Sequence, residues 1–360
     1  MRRQDREPDG RHERGHAGRG ARAPGPVARA SAQNAPRAER DGRKEAEDRQ
    51  GTPGARGPRP GPDVFRAGFV ALIGRPNAGK STLLNRLVGA KLAIVSPRPQ
   101  TTRNRVTGIR NLRQAQVVFV DTPGLHPGGG KLGEFMMETV ERAVADVDAV
   151  CLVVDATAYE HPDPLALRAV AECRGPVFCA LNKVDRVPDK ARLLPLIDRW
   201  RAARDFFDIV PISALDGTSC DRLLDRLVHA LPEHSALFPD DATSDQPETF
   251  YAAEVIREQI FHLTREEIPY AAAVRVEELV DRPRSPCVYI RAAIFVEHES
   301  QRGILIGRQA SMLKRIGAAA RRTLEAFFGI KVFLDLSVQV RRNWRKDERA
   351  LREFGLLKTS

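Results

Sequence analysis

The run Gly74-Arg75-Pro76-Asn77-Ala78-Gly79-Lys80-Ser81-Thr82 constrains the fold of this chain more than any other feature. It fits G-x-x-x-x-G-K-[ST], with the apolar "FVALIG" before it and the helix-like "STLLNRLVG" after it. Ordinary usage of Gly, Lys and Ser/Thr gives this pattern by accident about once in a hundred chains of this length. Such a loop works only between a strand that aims it and a helix whose positive end receives an anion. Its backbone N–H groups then surround a β-phosphate. Gly74, Asn77, Ala78, Gly79, Lys80, Ser81 and Thr82 form the expected cradle, with Lys80 reaching β- and γ-phosphates and the Ser81 hydroxyl binding Mg²⁺.

Three further stretches select the base and the reaction. Asp121-Thr122-Pro123-Gly124 closes an apolar run; Asp121 is placed to reach Mg²⁺ through water, and the Gly124 N–H to sense a γ-phosphate. Asn182-Lys183-Val184-Asp185 closes another, and the Asp185 carboxylate can accept both N1–H and N2–H of guanine. Adenine has no such donor pair, so GTP is the expected nucleotide and GDP its product. Ile212-Ser213-Ala214 follows the next run, where backbone groups of Ser213 and Ala214 can meet the guanine O6. All sit at carboxyl ends of strands, the edge where open α/β sheets bind ligands. The polar stretch "SPRPQTTRNRV" (96–106) is the expected switch loop, with Thr102, ahead of Thr101, offering a hydroxyl to Mg²⁺. Lys80, Thr102 and Gly124 are the catalytic candidates. Leu125 stands where Ras-type enzymes place a water-orienting Gln, so intrinsic turnover of ~10⁻⁴ to 10⁻³ s⁻¹ is expected.

The remaining organisation follows from composition. The 360 residues, 42% hydrophobic, suffice for about two domains of ordinary size. Residues 1–63 are rich in Arg, Gly, Pro and Ala and nearly empty of large apolar groups, which predicts a disordered basic tail. Their acidic residues disfavour a transit peptide, leaving an accessory tail or a mistaken start. Over 64–232, strand-length apolar runs alternate with amphipathic helices, predicting a mostly parallel sheet with helices on both faces. "PEHSALFPDDATSDQP" (232–247) marks a linker, placed at 233–248, and 249–360 reads as a smaller α+β domain of order α, β, β, α, α, β.

The whole chain carries +11, and residues 301–346 alone +9, from eleven Lys/Arg against Glu325 and Asp335. The second domain is therefore the basic pole, suited to nucleic acid. Five cysteines without CxxC spacing indicate neither a disulfide framework nor zinc, and fit a reducing cytosol. No apolar run reaches the roughly 18–20 residues of a membrane span, so any membrane contact would be peripheral.

With "GRPNAGKSTLLN", "QTTR", "DTPGLH", "NKVD" and "PISA" followed by a basic α+β domain, the chain resembles the Era family of bacterial ribosome-assembly GTPases over about residues 65–357. The resemblance implies an α/β P-loop GTPase domain followed by a type II KH domain. The implied partners are the 3′ end of small-subunit ribosomal RNA and the 30S subunit, bound by a monomer that is cytoplasmic or peripheral on the inner membrane. It also implies that Asn77 helps bind K⁺ near the phosphates. The alternative is a signalling GTPase whose second domain binds a protein.

Read from its own residues, Gly307-Arg308-Gln309-Ala310 is a loop that lets an RNA backbone approach, with Lys314, Arg315, Arg321 and Arg322 on the helix behind it. Ala310 stands where such loops usually carry a second glycine. Good helix formers follow directly, which predicts that Ala310 is the first helical residue with φ < 0 and that Ala310→Gly changes RNA affinity less than about fivefold. Arg341, Arg342, Arg345 and Lys346 surround Trp344, which either stacks on a base or packs in the core.

Overall fold

The computed structural model describes residues 64–126, 130–158, 161–282 and 286–356. The tail over 1–63 and the last four residues lie outside them.

The first domain is a six-stranded sheet of order β2-β3-β1-β4-β5-β6. Its strands are β1 (Arg66–Ile73), β2 (Val106–Leu112), β3 (Ala115–Asp121), β4 (Ala149–Asp155), β5 (Val177–Asn182) and β6 (Asp208–Pro211). Only β2 runs antiparallel, against β3. Helices α1 (Lys80–Val88), α2 (Gly130–Ala145), α3 (Pro164–Val170), α4 (Leu193–Ala203) and α5 (Cys220–Ala230) cover both faces. Side chains alternate along each strand, so one sequence serves two cores. Leu72, Phe119, Cys151 and Phe178 pack beneath α1 and α5, whereas Ile73, Leu152 and Cys179 pack with Val170 of α3 and Trp200 of α4. Burial on both sides is why these strands read as continuous apolar runs rather than alternating ones.

Strand β2 is not foreshadowed in the sequence, because "VTGIRNL" has no regular alternation. Its Gly108 makes the close packing possible: a Cβ there would come within 2.7 Å of Val88 and 2.9 Å of Leu84 on α1. The 233–247 segment has no helix or strand of its own beyond a single bridge from Glu233 to Arg66, and it is laid along this edge. The buried Gln116 carboxamide donates to the Phe238 carbonyl at 2.8 Å and accepts from Leu237 N and Phe238 N at 2.7 and 2.8 Å. Ile109 N donates to Thr243 O at 2.8 Å, which covers the otherwise open edge of β2.

The second domain contains α6 (Glu248–Leu263), the short α7 (Ile268–Ala271), β7 (Ala273–Asp281), β8 (Cys287–Val296), α8 (Glu299–Ile306), α9 (Ser311–Phe328), β9 (Lys331–Val340) and α10 (Glu348–Glu353). Its sheet is β7-β8-β9, antiparallel then parallel. Alternation on β8 divides the domain. Val288, Ile290, Ala292 and Ile294 face α6 and α9, while Ala293 and Phe295 face Trp344, Leu351 and, from α2 of the first domain, Leu132 and Phe135.

Trp344 is fully buried in that second cluster, its Nε1–H donating to the Ala271 carbonyl at 2.8 Å and its ring edge-on to Phe354. Of its two readings, packing is the one realised, and base stacking by Trp344 is ruled out. Replacing Gln116 by Leu leaves the Leu237 and Phe238 backbone groups without their partner. The expected result is a loss of about 1–3 kcal/mol in denaturant unfolding, with faster proteolysis near residues 237–243.

Candidate functional site

The motif residues converge at the carboxyl edge of the first sheet around a cavity of about 480 Å³. Backbone conformation makes the phosphate loop. Gly74 has φ +148, and a Cβ there would lie 2.2 Å from the Val153 carbonyl oxygen; Gly79 has φ +100, and its Cβ would lie 2.2 Å from Asn182 Nδ2. Lys80 opens α1 directly after this turn, so the helix's free N–H groups border the cavity. Its ammonium is buried, donating to Gly74 O at 3.1 Å and Arg75 O at 3.2 Å. Burial lowers its pKa, and the nearby Asp121 carboxylate opposes that shift.

Three oxygens meet beside Lys80. Ser81 Oγ donates to Asp121 Oδ2 at 2.6 Å and lies 2.9 Å from Thr102 Oγ1. Asp121 is fully buried, and its Oδ1 has no hydrogen-bond partner among the described residues. Burial raises its carboxyl to about 6, against the pull of Lys80 and of hydrogen bonds from Ser81, Thr102 and Thr122. Two hydroxyls and an under-satisfied carboxylate are a hard oxygen set that fits Mg²⁺. Of the two switch-loop threonines, Thr102 joins this cluster, whereas the Thr101 hydroxyl donates to Arg98 O at 2.7 Å.

Gly124 faces the phosphate loop so closely that a Cβ would come within 2.8 Å of the Pro76 backbone. The Thr122 hydroxyl is turned away and donates to Leu72 O at 2.9 Å, so it braces the loop; Pro123 follows it there. Leu125 is buried in the core with Ile73 and Val140, and only its backbone N–H reaches back, to Gly74 O at 3.0 Å. Its side chain is therefore both chemically unable to orient water and out of reach of it.

At the base end, Asn182 links two loops: Nδ2 donates to Ala78 O at 2.8 Å and Oδ1 accepts from Ala214 N at 2.9 Å. Lys183 Nζ pairs with Asp155 at 2.6 Å, which holds Lys183 along the cavity wall that Asp185 shares. Ser213 is buried behind the wall, its N–H donating to Thr218 O, so Ala214 is the residue of that pair that borders the cavity. Leu215 and Arg98 are among the lining residues not singled out from the sequence. Leu215, directly after Ala214, presents an apolar side chain, and Arg98 lies within the switch loop. Adjacency to a motif was the only signal for either. Arg86 on α1 donates to the carbonyls of Ala214 and Leu215 and so ties the base loop to the phosphate-loop helix.

On the second domain, a groove of about 290 Å³ runs between the start of α9 and β9, lined by Ala310, Leu313, Lys314, Gly317, Ala318, Arg321, Leu334 and Leu336. The lining recurs at three- and four-residue spacing, one face of the helix. Lys314 and Arg321 therefore share the groove, and Arg315 and Arg322 lie exposed outside its lining. The expectation for Ala310 fails. It has φ 59 and ψ 25 and caps α9 in the left-handed region, after Gln309 at φ 51 and Gly307 at φ 70. The loop needs three positive-φ residues in four to reverse the chain between α8 and α9, and this requirement overrides local helix propensity. Of the second basic cluster, Arg345 pairs with Glu297 and Arg341 with Glu353 and Asp347, so much of its charge is compensated.

The fold and site define a P-loop GTPase domain joined to a KH domain. A family model for 50S ribosome-binding GTPases matches residues 69–183, and one for KH domains matches residues 267–345. GTPase Era from Syntrophus aciditrophicus is 48% identical over 81% of this chain and 95% of its own length, and that from Geobacter metallireducens 46% over 81% and 98%. Among solved structures, a point variant of Aquifex aeolicus Era bound to GDP·AlF₄⁻ superposes with a TM-score of 0.78 at 37% identity, over 81% of this chain and 99% of that one. Era in complex with MgGDPNP and nucleotides 1506–1542 of 16S ribosomal RNA gives the same TM-score, identity and coverage. The chain belongs to the Era family of GTPases. It hydrolyses GTP and works with GTP, GDP and Mg²⁺.

Two substitutions test these geometries. Asp185→Asn replaces the carboxylate expected to accept guanine N1–H and N2–H with a group that can also donate; GTP affinity should fall by on the order of 10²-fold or more, and XTP should gain relative to GTP in competition titrations. Ala310→Gly removes the Cβ from a left-handed position, and the domain should gain about 1 kcal/mol in denaturant unfolding.

Proposed function

We propose that this protein is a GTP-dependent switch that binds the 3′ end of small-subunit ribosomal RNA and assists maturation of the 30S subunit. The observation that carries this reading is the groove at the start of α9, where Lys314 and Arg321 stand over a floor of Gly317 and Ala318 facing Leu334 and Leu336. Small residues admit an extended backbone and its bases, and the two cations meet phosphates. The loop from Gly307 through Arg308 and Gln309 ends at Ala310, which lines the groove at the start of α9. Arg315 and Arg322, exposed on the adjoining face, extend the positive field. The Era complex with a 16S ribosomal RNA segment supports the choice of RNA. The basic groove also favours RNA over a protein partner, the signalling alternative.

In hydrolysis the chain contributes position and charge rather than a general base. The phosphate loop fixes the nucleotide, Lys80 places a cation at its phosphates, and the Gly124 N–H faces the γ-phosphate position. Ser81 and Thr102, with Asp121 through water, would hold Mg²⁺, which when bound neutralises charge on the phosphate oxygens. With Leu125 buried, the side chain directly after Gly124 cannot orient water, and slow intrinsic turnover follows. Asn77, at φ 62 on the cavity wall, is the residue proposed to help bind K⁺, so faster hydrolysis in K⁺ than in Na⁺ is part of this reading. The protein is proposed to act as a monomer in the cytosol, with any membrane contact peripheral. No described helix is long and apolar enough to cross a bilayer.

The test is a titration of a small-subunit 3′-end oligonucleotide against the GDP form and a form bound to a non-hydrolysable GTP analogue. Tighter binding in the analogue form is expected. Lys314→Ala with Arg321→Ala should weaken binding at least tenfold and lower the salt slope by roughly 1.4, at about 0.7 per phosphate contact on a single strand. Equal binding by the double variant would remove the groove from the RNA site.

A further inference from the structure

The switch loop leaves α1 through Ala90–Ile94 and returns at β2, and from Val95 to Arg105 it has no helix or strand. Its first part is held by its own domain, through the Asn85 side chain, which accepts from Leu92 N and Ala93 N at 2.9 Å each. From Val95 onward the second domain takes over. Glu258 on α6 accepts from Val95 N at 3.0 Å, and His262, one turn later, bonds Val95 O at 3.0 Å. Arg257, the residue before Glu258, donates to Thr101 O. Arg103 then crosses to the second domain and donates to the carbonyls of Ala272 at 2.7 Å, Pro269 at 3.0 Å and Tyr270 at 2.9 Å. Its guanidinium also lies over the buried Trp344 ring, 5.8 Å from the centroid. Thr102 thus sits between two residues whose backbone or side chain is fixed by the second domain.

These contacts use charges that are costly to place. Arg257 and Glu258 are 3% and 2% exposed. A buried ion persists only where partners offset its desolvation. Glu258 has Lys91 Nζ at 2.6 Å besides the Val95 N–H, and Arg257 has Glu254 besides the Thr101 carbonyl. Burial and the neighbouring Arg257 charge lower Arg103 to about 9, still protonated at neutral pH. Helix α6 itself is rooted in the second core through Val255, Ile256 and Ile260, so it is a rigid mount for both side chains.

We propose that the second domain completes the GTPase site: Arg257 and Glu258 are positioning residues that fix the 95–103 loop and thereby hold the Thr102 hydroxyl beside Ser81 and Asp121. This rests on the reading of Thr102 as a Mg²⁺ ligand used with GTP and not with GDP. If it holds, the first domain alone carries the motifs but an unfixed Thr102.

The experiment measures the affinity of the full chain for fluorescent GDP and for a fluorescent non-hydrolysable GTP analogue, both with Mg²⁺. The variants are Arg257→Met, Arg103→Met and Arg257→Lys, with Thr102→Ala as reference. Arg257→Met should weaken the GTP analogue at least tenfold and leave GDP within twofold; Arg103→Met, which attacks the same anchor from the loop side, should do likewise if Arg257→Met folds poorly. Arg257→Lys, which keeps a donor for Thr101 O, should recover part of the loss. Combined with Thr102→Ala, Arg257→Met should add less than twofold, because both act through one hydroxyl. Unchanged analogue affinity in both Met variants overturns the proposal. So does an equal loss for GDP and analogue, which marks these residues as structural glue, or a full additive loss on top of Thr102→Ala. If Thr102→Ala itself spares the analogue, the assignment of Thr102 fails instead, which separates the two claims.

Discussion

The Asn182 carboxamide is the contact on which the nucleotide site depends. With one donor and one acceptor it joins Ala78 of the phosphate loop to Ala214 of the base loop, two segments more than 100 residues apart in sequence. Being buried, those bonds work in a low dielectric where an unpaired amide would be costly. The glycine at position 79 is what lets the carboxamide come so close, since any Cβ there would occupy the place of Nδ2. Parallel strands β1, β5 and β6 bring all these loops to one edge. The sheet's two cores then hold that edge rigid.

A second level of organisation is built on buried charge at the domain junction. Arg103, Arg257 and Glu258 are placed where apolar residues would pack with less desolvation cost. What they provide instead is direction: each guanidinium or carboxylate addresses specific backbone groups of the other domain, which an apolar contact cannot do. Trp344 sits where these contacts meet α2. Arg103 lies over its ring, and Leu132 and Phe135 of α2, the helix after the DTPG loop, share its cluster. The switch loop and α2 therefore both rest on one part of the KH domain.

The nucleotide chemistry was legible because it depends on local sequence. Glycine spacing, Lys80, Ser81, Asp121 and Asp185 each act through their own side chain or backbone at a strand end, and strand ends are visible as the limits of apolar runs. The surface chemistry was less so. Helical periodicity gave α9, but the choice of Lys314 and Arg321 over Arg315 and Arg322 depends on which face β9 covers. Ala310 was misread because helix propensity is a local preference, and a chain reversal between two packed helices outweighs the roughly 1 kcal/mol an alanine loses in the left-handed region.

Local sequence was enough to define the two domains, the GTP site and the basic character of the second domain, since periodicity, motif spacing and charge are all properties of neighbouring residues. It took the folded chain to establish that Trp344 is a core residue, that Gln116 anchors the linker, and that Arg257 and Glu258 reach the switch loop. Each of those depends on partners 100 or more residues away or on a rival set of contacts, and no local pattern records which distant backbone group a buried side chain will meet.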